Sequence, residues 1–134
     1  MRNLIWLLLP LSFVSCKDTE TNIDSEQNML WGNGTKAWII QKQIVDGTEV
    51  QLDTTQLKYT KIYSEDQTYY DSDGLTGQYT YDAIELKLIE NIRNGGIGTL
   101  TYNVLDLTTN TLVIKLVSND TGALNSEFYF KRKN

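Results

Sequence analysis

The chain has 134 residues, with 12 basic and 17 acidic side chains, a formal charge of −5, 40% hydrophobic residues, no histidine, one cysteine and one proline. Without histidine, Ser-His-Asp and Cys-His nucleophilic sites and the common zinc arrangements are excluded, so no catalytic residue, metal ligand set or cofactor is expected. An acidic chain without a basic cluster cannot neutralise a phosphate backbone, which argues against nucleic-acid binding.

The N-terminal segment has the layout of an export signal. Met1 and Arg2 give a positive start, residues 4–14 form an apolar run, and small Ser15 precedes Cys16. A membrane-spanning helix needs roughly 20 apolar residues. This run is shorter and contains Pro10, so residues 1–15 read as a cleavable signal peptide. Phe13-Val14-Ser15-Cys16 resembles a lipobox, with Phe13 where Leu is usual, which implies lipidation of Cys16 and anchoring to a membrane through that lipid. No second cysteine is present to form a disulfide. Cys16-Lys17-Asp18-Thr19-Glu20 is similar to the export tag of outer-membrane lipoproteins displayed on the surface of Bacteroidota, with Thr19 between its acids. A periplasm-facing anchor is the alternative. Cleavage removes Arg2, so that 11 basic side chains face 17 acidic ones and the net charge becomes −6. Residues 16–34 form the lipidated cysteine and a tether. Residues 17–28 contain one apolar side chain, Ile23, too little to offset ordering entropy, and are expected to be flexible.

Met29, Leu30 and Trp31 form an apolar cluster expected to plug one end of the folded domain, residues 35–134. From Thr35 onward apolar residues alternate with polar ones, the pattern of strands with one face on a core. Trp38 shares a face with Ile40 and Ile44; Ile84, Leu86 and Leu88 share another, as do Leu112, Ile114 and Leu116, and Leu124, Phe128 and Phe130. Turn-forming residues punctuate these runs at 46–47, 64–67, 71–74, 91–96, 108–110 and 119–122. The spacing predicts strands at 35–45, 48–52, 57–63, 67–71, 75–81, 84–90, 97–106, 111–118 and 124–132. Eight or nine consecutive antiparallel strands with no covering helix close most simply as a small up-and-down antiparallel β-barrel.

Several of these runs carry a family resemblance. Lys36-Ala37-Trp38-Ile39-Ile40 with Val45-Asp46-Gly47 looks like the opening strand of lipocalin-like domains in lipoproteins of the Bacteroidota. Leu75-Thr76-Gly77-Gln78-Tyr79-Thr80-Tyr81 stands where that family has a Gly-x-Trp/Tyr strand, and residues 102–115 follow its two-strand signature. Phe128-Tyr129-Phe130-Lys131-Arg132 ends the chain as the family does. Three residues rather than one separate Gly34 from Trp38, unlike the Gly-x-Trp motif of classical lipocalins, and no classical C-terminal helix is expected.

Trp38, Tyr59, Tyr63, Tyr79, Tyr81, Tyr102, Phe128 and Phe130 fall on faces assigned to the interior. An eight-stranded lumen is filled by side chains or holds one small ligand. Packing as core is the simpler role of such rings, and a pocket is the alternative. The acids mostly fall in turns or on polar strand faces. Asp71-Ser72-Asp73-Gly74 resembles the start of a calcium loop, but Leu75 occupies the next ligand place and Asp82 the twelfth, so a hairpin turn is expected. Two functions remain: a non-enzymatic module binding a small hydrophobic or amphipathic ligand, or a filled spacer. In the second, Glu65-Asp66 and the 91–96 turn would contact an envelope protein.

Overall fold

The computed structural model describes residues 29–117 and 124–134. The expected signal peptide, Cys16, the tether to residue 28 and the whole 119–122 turn lie outside the described residues. Nine strands follow one another: β1 Thr35–Val45, β2 Thr48–Val50, β3 Thr60–Ser64, β4 Thr68–Asp71, β5 Thr76–Asp82, β6 Lys87–Asn94, β7 Gly98–Leu107, β8 Thr111–Leu116 and β9 Ser126–Arg132. A 3-10 turn at Gln56–Lys58 separates β2 from β3.

From β3 onward each strand pairs antiparallel with the next, and β9 returns to β1, closing an eight-stranded up-and-down barrel. The ninth strand, β2, is additional. One edge of β1 is divided: Thr35 to Ile39 pair with β3, and Gln43 to Val45 pair with β2. Asp46 and Gly47 make the β1–β2 hairpin at φ 48° and 81°, the positive values that a two-residue primed turn requires.

Alternation sends Tyr63, Tyr69, Tyr79, Leu88, Tyr102, Leu112, Ile114 and Phe130 into one core. Three β-bulges interrupt the registers, and each changes which side chains face in. The bulge at Gln41 puts Gln43, not Ile44, on the inner side with Trp38 and Ile40. The expected face of Ile44 is corrected accordingly. β6 begins at Lys87 rather than 84, because Asp82 Oδ1 accepts the backbone amides of Ile84 and Glu85, both at 2.9 Å, and bends the chain into a turn. Ile84 and Leu86 are therefore 79% and 45% exposed rather than inward. Leu124 precedes β9 and is also exposed. At Gly77 a Cβ would stand 1.9 Å from the carbonyl oxygen of Asn91, so only glycine lets β5 and β6 approach there.

The two barrel ends differ. One carries the start of β1 and the turns at 65–67, 83–86 and 108–110. Residues 29–31 are helical and pack there, with Leu30 buried and the Trp31 and Tyr79 ring centroids 6.5 Å apart. Trp38 Nε1 donates to the Leu30 carbonyl at 2.9 Å, and the Lys36 ammonium donates to the carbonyls of Met29 and Thr109. The cluster plugs this end, as its composition suggested. The opposite end, beyond Asp46-Gly47, the 72–75 turn and the 95–97 turn, is partly open.

Candidate functional site

At the open end the barrel holds a pocket of about 260 Å³. Ile40, Leu52, Tyr59, Tyr102 and Phe128 supply apolar wall, and Gln43, Gln56 and Asp73 bring polar groups to the rim. Its floor is Lys61, which is buried. Small-molecule sites occupy roughly 300–1,000 Å³, so this pocket falls just below that range and has room for only a very small ligand.

Beneath the pocket lies a polar network inside the lumen. The Lys61 ammonium donates to both carboxylate oxygens of Glu90 at 2.9 Å. Tyr63 Oη donates to Glu90 Oε1 at 2.5 Å. Three rings surround the ammonium, with Tyr69 and Tyr102 at 5.3 Å and Tyr59 at 5.9 Å, within cation–π range. Tyr59 Oη donates to Asp71 Oδ2 at 2.9 Å, while Asp71 Oδ1 accepts the amides of Asp73 and Leu75 at 3.0 Å. Those bonds make Asp71 the organiser of the β4–β5 turn, the hairpin role expected of this run.

Burial raises the phenol pKa values of Tyr59, Tyr63, Tyr69 and Tyr102 well above the usual tyrosine value. Nearby carboxylates, Asp71 for Tyr59 and Glu90 for the other three, push in the same direction because a phenolate beside an anion is disfavoured. The hydroxyls of Tyr59 and Tyr63 are held as donors, to Asp71 and Glu90. Tyr69 Oη is the single buried side-chain polar atom among the described residues without a hydrogen-bond partner.

The interior rings occupy two zones. Trp38, Tyr63, Tyr79 and Phe130 are at most 2% exposed and pack as core, with Tyr81 also buried. Tyr63 and Tyr79 meet edge to face at 5.0 Å. Tyr59, Tyr102 and Phe128 line the pocket, the last two with centroids 6.5 Å apart. The half of the lumen toward the plug is thus filled and the other half is open. No protein-family model, curated protein or solved structure matches this chain.

The site's chemistry therefore follows from its own geometry. No group of three or more His, Cys, Asp or Glu residues gathers to hold a metal among the described residues. No helix among them is long and apolar enough to cross a membrane. Sequence alternation placed the rings but missed Lys61, Asp71 and Glu90, because charges on strands were read as solvated. The signal was phase: Lys61 alternates with Tyr59 and Tyr63, Asp71 with Tyr69, and Glu90 with Leu88 and Ile92. Glu65 and Asp66 are exposed in their turn as expected, whereas β6 runs through Asn94 and shortens the 91–96 turn to residues 95–97.

Proposed function

We propose that this chain is a non-catalytic envelope lipoprotein of the lipocalin-like kind, whose barrel takes one small amphipathic ligand at its open mouth. The observation carrying the reading is the half-filled lumen, with apolar walls above the Lys61 side chain. A ligand with a short apolar body would cover Ile40, Leu52 and Phe128 and direct a polar end toward Lys61 and the rim amides.

Native mass spectrometry of the protein purified from its own host should show one co-purified small molecule. Gln43→Trp, which fills the mouth from β1, should lose it while keeping the wild-type unfolding midpoint. No adduct on either protein, or equal adducts on both, would refute the proposal.

Anchoring rests on the lipobox-like run ending at Cys16, and the following Lys17, Asp18 and Glu20 support display on the outer membrane surface. Cys16→Ala should abolish labelling by a fatty-acid analogue while leaving the barrel folded. Equal labelling of mutant and wild type would sink the lipid assignment.

A second reading, a spacer that contacts an envelope protein, draws support from Ile97. It is 96% exposed in the 95–97 turn, an isolated apolar side chain at a loop tip. In-cell cross-linking from position 97 that returns no partner would remove that support.

A further inference from the structure

We infer that the cleft beside the plug, at the end opposite the ligand pocket, binds a phosphate-type oxyanion. It encloses about 520 Å³, and Lys36 of β1 meets Arg132 and Lys133 at the end of β9 there, with Asn33, Thr35 and Thr109 in the wall. No acidic residue lines it. Lys131-Arg132-Lys133 is a short basic run in the sequence, and closure of β9 onto β1 brings Lys36 beside it.

Lys36 is the deciding group. It is 6% exposed, and among the described residues its ammonium meets the carbonyls of Met29 and Thr109 and the Trp38 ring, whose centroid is 4.9 Å away. Carbonyl dipoles and a ring face hold a cation in place without neutralising it. Among the described residues the ion pairs are Lys61–Glu90, Lys87–Glu85 and Lys115–Glu127, so none of the three cleft cations has a carboxylate partner. Buried charges are ordinarily paired. Lys36 and Arg132 line the same cleft, and burial together with the like charge of Arg132 lowers the Lys36 pKa. An anion between the two would relieve both penalties.

The form of the anion follows from the donors. Arg132 offers a planar fork suited to two oxygens of one group, and the lysines add point charges from other sides. A phosphate monoester carries close to two negative charges at neutral pH, and so gains more from three cations than a carboxylate does. The cleft volume leaves room for the organic part of an ester. The rest of a chain of net charge −5 repels anions, so binding should be confined to this cleft. The monoester headgroup of phosphatidic acid and a soluble phosphate monoester share this chemistry.

Isotope-labelled full chain titrated with glycerol 3-phosphate should show saturable amide shifts at residues 32–37, 109 and 132–133. Arg132→Gln with Lys133→Gln, both exposed positions, should weaken binding by at least about tenfold while preserving the remaining spectrum. Flotation with vesicles of phosphatidylcholine with and without phosphatidic acid identifies the source. Flotation that increases with phosphatidic acid and needs the two cations assigns a headgroup; ester binding without that increase assigns a soluble ester. Non-saturable shifts spread over Lys42, Lys87 and Lys115 would overturn the proposal. So would binding that appears only after Asp18, Glu20, Asp24 and Glu26 are neutralised, since the chain's own acids would then occupy the cleft.

Discussion

Lys61 and Glu90 face each other across the barrel lumen, their side chains 6% and 0% exposed and joined by two hydrogen bonds of 2.9 Å. They come from β3 and β6, which are not neighbours in the sheet, so the pair braces opposite walls. Removing one partner of a buried pair leaves an uncompensated charge and costs about 3–5 kcal/mol. Lys61→Met should lose that much in urea denaturation. Adding Glu90→Gln should restore most of it, because the amide keeps an acceptor for Tyr63 without the charge. A single-mutant loss below about 1 kcal/mol would mean that water reaches Glu90.

Trp38→Ala should destabilise the domain by about 3–5 kcal/mol, the range for a large buried aromatic. Trp38 is 0% exposed and holds the plug through Leu30. Trp38→Phe separates the two contributions: it keeps a ring in the core but leaves the Leu30 carbonyl unpaired, a loss of about 1–3 kcal/mol. Equal losses for both variants would show that the hydrogen bond, not the packing, dominates.

Gly77→Ala tests the close approach of β5 to β6. The added carbon meets backbone at 1.9 Å from Asn91 O and 3.1 Å from Ile92 Cα, where no flexible side chain can yield. Overpacking costs about 1–3 kcal/mol, and this site should reach the upper end. Gln78→Ala, an exposed neighbour, should stay within about 0.5 kcal/mol in the same denaturation series.

Alkaline pH should unfold the barrel through its tyrosines. Tyr59, Tyr63, Tyr69, Tyr79 and Tyr102 have folded pKa values raised above the ordinary tyrosine value of 10.0. A raised folded pKa means that the folded state holds the proton more tightly. The stabilisation is therefore fully present below the unfolded pKa, about 10, and declines as pH rises beyond it. Absorbance at 295 nm should show these five ionising together with the loss of β-sheet circular dichroism. Their ionisation at pH 10 to 11 in a still-folded barrel would contradict the buried network.

Strand positions were legible because alternation and turn chemistry agree along most of the chain. Asp46-Gly47 announces its hairpin, and the rings from Tyr59 to Phe130 stand in the core or against the pocket. Legibility failed where a local contact overrode the period. Ile84 and Leu86 continue the alternation of Leu88, but the Asp82 carboxylate captures two amides and turns the chain before β6 begins. At Gln41 a single extra residue moves Ile44 off the inner face. The polar floor needed a different question of the sequence: whether a charge in phase with aromatic neighbours has an opposite charge in phase elsewhere. Lys61 and Glu90 satisfy it, yet their meeting depends on barrel closure, which strand spacing alone does not specify.

The divided edge of β1 governs how an occupant could enter. Between Ile39, the last residue paired to β3, and Gln43, the first paired to β2, the wall on that side has no continuous ladder. Ile40, Gln43, Leu52, Gln56 and Tyr59, all around this interval, border the pocket. Lifting the β2 segment and the 3-10 turn would break the three registered pairs of β2 with β1, while the ring joined by β1 and β9 stays intact. Entry would then be a local opening that uncovers Leu52 rather than an unfolding of the barrel.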